Sequence, residues 1–86
     1  MFKTFNFTYV FVMEGKGYDP YITTHVALRE TNGRHLAWQE VAEQWDLVDG
    51  SLEHWSERDE FFNKDGVARL VAVFQTEPGG YFKSLL

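Results

Sequence analysis

From Thr4 to Met13 the chain alternates with a period of two. Phe5, Phe7, Tyr9, Phe11 and Met13 take the odd positions, while the even ones run from polar Thr4, Asn6 and Thr8 to Val10 and Val12. Successive residues of a strand point to opposite faces of a sheet. This spacing of aromatic and β-branched residues therefore predicts a strand, half-buried at its start and more fully buried at its end. Eight Phe, four Tyr and three Trp in 86 residues supply large side chains for the core of one domain spanning residues 1–86. There are no cysteines, so packing alone must hold that core, which fits a reducing cytosol better than a disulfide-built secreted module.

The N-terminal MFKTFNFTYVFVM is apolar enough to invite comparison with a signal peptide. Asn6 and Thr8 interrupt it, and no small-residue cleavage site precedes Glu14-Gly15-Lys16-Gly17, so it reads as a strand ended by a turn. No run reaches the length of a membrane-spanning helix, and the expected location is cytoplasmic, the host cytoplasm if the source is viral.

Residues 21–31, YITTHVALRET, fit two patterns. Asp19 as a cap, Pro20 at the first position and Gly33 as a stop would make a helix. The β-branched Ile22, Thr23, Thr24 and Val26, with Asn32-Gly33 as a hairpin signal, favour a strand, which is the reading adopted. From Trp38 to Val48 the period turns helical: Ala37, Val41, Trp45 and Val48 share one arc, and Glu40, Glu43, Asp46 and Asp49 spiral around the other half. Asp49-Gly50 closes this helix. Ser51 then caps a second one from Leu52 to about Lys64, with Leu52, Trp55 and Phe62 as its apolar stripe and Gly66 as its stop. A rival reading makes Asp49-Gly50 a hairpin turn and lets Ser56 cap a shorter helix. Val67–Thr76 reads as a buried strand, Pro78-Gly79-Gly80 as a turn and Tyr81–Leu86 as a short edge strand. The expected fold is α+β: an antiparallel sheet of three to five strands with two helices on one face, in the approximate order ββααββ.

Charge is distributed unevenly along this chain. Nine of its thirteen carboxylates fall between Glu40 and Asp65, against only Arg58 and Lys64, a net of −7 in a molecule of net −5. Such a field attracts basic partners and repels nucleic acid. On the expected second helix Glu53, Glu57 and Glu60 form a stripe. Carboxylates three or four residues apart lie about 4.5–6 Å apart along a helix, a loose match to the phosphate spacing of about 3.4 Å along a DNA strand. Phe61 falls on the side of that helix away from Leu52. It either packs under a loop or against the first helix, or serves as an apolar anchor ringed by charge. The bland alternative for the whole acidic face is that it keeps a small aromatic protein soluble.

Conventional chemistry finds little support in the residues. His54 and Glu57 form an H-x-x-E pair without a convincing third ligand, so no metal or cofactor is expected. The three serines sit in no nucleophile motif. Gly15-Lys16-Gly17 lacks the rest of a phosphate loop, and the aromatic ladder of the first strand lacks the basic groove of a single-strand binder. In size, acidity and absence of cysteine the chain is similar to small phage and mobile-element inhibitors, including DNA-mimic antirestriction and anti-CRISPR proteins. That similarity is one of composition and covers no motif. The expectation is a non-enzymatic binding protein that docks Glu40, Glu43, Asp46, Asp49, Glu53, Glu57, Glu60 and Phe61 on a basic, nucleic-acid-binding surface of a protein partner, without binding nucleic acid or membrane itself. The alternative is an accessory subunit that assembles through a sheet edge or an apolar patch.

Overall fold

The computed structural model describes residues 3–15, 17–45, 47, 60–63, 66–76 and 82–85. Strand β1 (Phe5–Glu14) is followed by β2 (Tyr21–Ala27) and then by helix α1 (Glu30–Gln44). After it come β3 (Glu60–Asn63), β4 (Gly66–Thr76) and β5 (Phe82–Ser84). All pairings are antiparallel, in the order β2-β1-β4-β3, with β5 beside β3 on the far edge of β4. The two short strands thus share that edge, β3 against Gly66–Arg69 and β5 against Phe74–Thr76.

The alternation of β1 sets the layers. Phe7, Tyr9, Phe11 and Met13 are buried on one face, where α1 meets Tyr9 and Phe11, each ring or thioether contributing about 1.5–3 kcal/mol by leaving water. Opposite them β4 brings Ala68, Leu70 and Val73 to the same face, and β3 adds Phe61. A slip of register between Val10 and Phe11 leaves Val71 unmatched, the two-against-one count of a β-bulge. It moves the inward positions of β4 from odd to even numbers, from Val73 to Leu70 and Ala68, which is why this strand alternates poorly in the sequence.

Helix α1 lies across the ring-bearing face. Ala37, Trp38 and Val41 are fully buried, and the edge of Trp38 meets the Phe11 ring at 4.7 Å between centroids. Its start is fixed by Tyr9, whose hydroxyl donates to the Glu30 carbonyl at 2.6 Å. The phenol ends directly beneath Gly33, so a Cβ at that position would stand 2.5 Å from the hydroxyl oxygen. Glu30 in the first turn suits the helix dipole and pairs with Arg34 at 2.6 Å.

Several expectations require correction. The sheet is present, but among the described residues it carries one helix, not two, and the order ββααββ does not hold. Residues 60–63, expected in a second helix, form β3; the rest of that helix, 52–59 and 64, lies outside the described residues. Helix α1 also begins at Glu30, eight residues before the expected start at Trp38. Asn32-Gly33 lies inside it and makes no hairpin, because a glycine here lets the backbone ride over Tyr9. The strand favoured over a helix for residues 21–31 holds for Tyr21–Ala27, while Glu30 and Thr31 belong to α1.

Replacing glycine by alanine inside a helix ordinarily stabilises by up to about 1 kcal/mol. Here Gly33→Ala is expected to destabilise by about 1–3 kcal/mol, because the methyl meets a phenol held rigid in the core. Urea unfolding measures it, and Tyr9→Phe in the same chain should recover part of the loss. Stabilisation by Gly33→Ala alone would contradict the close approach.

Candidate functional site

Alternation along β2 puts Tyr21, Thr23 and His25 on the face beneath α1, and one helical residue meets all three. Glu40 Oε2 accepts from the Thr23 hydroxyl at 2.5 Å and from the Tyr21 hydroxyl at 3.1 Å. Glu40 Oε1 stands 3.2 Å from His25 Nε2, which is also 3.2 Å from Thr23 Oγ1. The single Thr23 hydrogen is committed to Glu40, so the proton shared on the imidazole side belongs to Nε2. Tyr21 extends the cluster towards the end of the helix, where Trp45 stacks on Tyr18 at 6.2 Å and meets Tyr21 edge-on at 6.4 Å.

A hydroxyl, an imidazole and a carboxylate in contact invite comparison with a nucleophile relay. In such a relay the base bridges the other two, one on each ring nitrogen. Here Thr23 and Glu40 crowd the same nitrogen, and the hydroxyl gives its proton to the carboxylate. The arrangement leaves the imidazole no proton to collect from Thr23. Its geometry is that of a clamp tying the middle of α1 to β2.

Two tyrosines feel these carboxylates. Burial, then the Glu30 charge, pushes the Tyr9 phenol well above its usual range, against a smaller opposing effect of Arg34. Loss of solvent, the hydrogen bond to Glu40, and the charges of Glu40 and Glu43 raise Tyr21 as well.

The structure separates the acidic residues that the sequence grouped. Glu40 faces β2 and is bonded there, contrary to the expectation that every acid of this helix points away from the apolar side. Glu43 is exposed. Glu60 lies on β3 and is 3.4 Å from Arg69 Nε; the guanidinium's Nη1 reaches Glu14 at 3.1 Å. A helical stripe of Glu53, Glu57 and Glu60 is therefore excluded, because Glu60 is in a strand. Phe61 is buried at 7% exposure against β4, so it packs in the core and offers no anchor to a partner. Asp46, Asp49, Glu53 and Glu57 lie outside the described residues, as does the His54–Glu57 pair. Among the described residues no three His, Cys, Asp or Glu gather to hold a metal ion, and no helix is long and apolar enough to cross a membrane. The clamp itself was missed in the sequence; the period-two placement of Tyr21, Thr23 and His25 was its one visible trace. No family model, curated protein or solved structure matches this chain.

Glu40→Ala leaves three donors without their acceptor and is expected to cost about 1–2 kcal/mol, at the lower end of such losses because Glu40 is partly exposed. Glu40→Gln, which keeps an acceptor oxygen, should cost less. Equal losses in denaturant titrations would argue against the clamp.

Stability also carries a pH signature. Below about pH 10 tyrosines stay protonated in both states. Above it the unfolded chain ionises while Tyr9 and Tyr21 resist, so stability falls as pH rises through this window towards the raised folded values. In urea titrations Tyr9→Phe should flatten that decline. An unchanged slope would contradict the assignment to Tyr9.

Proposed function

We propose that the chain is a small non-enzymatic binding protein, and that its carboxylate-rich stretch from the later half of α1 to β3 docks on a basic, nucleic-acid-binding surface of a protein partner. The observation that carries this reading is the net charge of −7 over residues 40–65 in a chain of −5. An uneven field of this kind speeds encounter with an oppositely charged face and sets the sign of its salt dependence.

Glu40 and Glu60 have internal partners, so they serve the fold before any docking. Glu43, exposed on the last turns of α1, is the described residue best suited to the contact. Asp46, Asp49, Glu53 and Glu57 follow it in sequence and complete the proposed set. Inhibition of a nucleic-acid enzyme by occupying its DNA or RNA groove is the sharper form of this proposal.

An immobilised chain should retain a basic protein from extracts of its native host, and duplex DNA should compete that protein off. The complex should loosen between low and moderate salt, where screening shortens to about 10 Å. Glu43→Lys, Glu53→Lys and Glu57→Lys should each weaken it several-fold, whereas Glu14→Lys, on the first strand, should not. Equal weakening by all four, or retention indifferent to salt, would remove the reason for assigning the acidic stretch.

A further inference from the structure

The two outer edges of the sheet differ. On the far side of β4 the strands are short and carry charge, Glu60 on β3 and the exposed Lys83 on β5. On the near side β2 stands, among the described residues, at the end of the strand order with seven residues, YITTHVA. It holds no Lys, Glu, Asp, Arg or Pro, and its register against β1 runs without a bulge. Natural edges are usually blunted by those devices, because an unpaired row of backbone donors and acceptors recruits another strand.

The side chains on this edge are arranged about its middle residue. Ile22 and Val26, at 63% and 62%, are the two most exposed large hydrophobic residues described, and they lie two positions either side of Thr24. Asp19 and Arg29, both exposed and without an ion pair among the described residues, lie five positions either side of it. Leu28 and Leu36 add exposed apolar surface nearby, since Leu36 precedes by one turn the Glu40 that reaches over β2.

We propose that β2 pairs antiparallel with β2 of a second copy, on a two-fold axis through Thr24. In that register each Ile22 faces the other copy's Val26 on the open side of the sheet, and each Asp19 comes to the same end as the other copy's Arg29. Thr23 opposes His25 and Tyr21 opposes Ala27. Two-fold symmetry requires such self-complementarity of one patch, and the sequence from Asp19 to Arg29 has it in both charge and hydrophobicity. The pairing does not depend on the acidic docking reading, and salt separates the two. Docking on a basic partner loosens as salt rises. Self-association of two chains of net −5 gains from screening of their mutual repulsion, beyond the small loss at the exposed Asp19–Arg29 pairs.

The test uses the full chain, whose lack of cysteine makes single-cysteine variants clean. Sedimentation across the micromolar range should show a monomer–dimer equilibrium. Ile22→Lys should weaken it by about tenfold or more, since it strikes both symmetric contacts. The double change Ile22→Lys with Val26→Glu should restore it, because each new lysine would face a new glutamate. Under mild oxidation Thr24→Cys should cross-link, its Cβ atoms lying about 4.5–5.5 Å apart across the pair. Ile22→Cys alone should not, because the two copies of residue 22 would stand roughly 13 Å apart. A chain that stays monomeric throughout, or a dimer cross-linked by Ile22→Cys and not by Thr24→Cys, would overturn the proposal.

Discussion

The structure turns on one contact, where the Tyr9 hydroxyl reaches the Glu30 carbonyl beneath Gly33. Tyr9 stands in the middle of β1, the strand paired on both sides, so its position is set by β2 and β4 together. Its hydroxyl needs an acceptor once buried, and the first turn of α1 provides a carbonyl. The helix can descend on that hydroxyl because residue 33 has no side chain. From this point α1 runs along the ring-bearing face, placing Trp38 on Phe11 and Glu40 over Tyr21, Thr23 and His25.

Among the described residues one helix covers one side of the sheet, and the carboxylates around it differ in their surroundings. Carboxylates that touch the sheet are engaged: Glu40 with three partners, and Glu14 and Glu60 with Arg69. Among the described carboxylates, Glu43 and Asp19 are exposed and lie outside these pairings. The β2 edge is the opposite kind of surface, uncharged along its length and apolar on its open side. The two proposed contacts thus differ in chemistry, one resting on charge and the other on strand pairing.

Strand β1 was legible because its alternation is carried by rings that leave one solution for which face is buried. Strand β4 was legible in extent, from its valines, but its facing was not, since the bulge at Val71 is a tertiary feature. The second helix was misread through its glycine. Gly66 reads as a helix stop in the sequence, yet it has a positive φ of 155° at the start of β4, where a Cβ would collide with the Glu14 carbonyl. A glycine needed for a close backbone approach and one needed after a helix look the same in a sequence. Asn32-Gly33 misled for a related reason: it is a strong local turn signal overridden by a contact with Tyr9, more than twenty residues away. The clamp at Glu40 was invisible because helical period places a residue on a face without saying which strand lies under it. As for the proposed docking residues, the charge imbalance was plain in the sequence, but whether each carboxylate is engaged or exposed depends on Arg69 and β2, which only folding brings near.

Amide hydrogen exchange on Tyr9→Phe tests most directly whether the Tyr9–Glu30 contact governs the helix–sheet joint. If it does, protection should fall together along α1 and at β2 beneath Glu40, because the helix loses its anchor as a unit. Loss confined to the first turn, around Glu30 to Arg34, with the rest of α1 and β2 unchanged, would contradict the account and reduce the contact to a local cap.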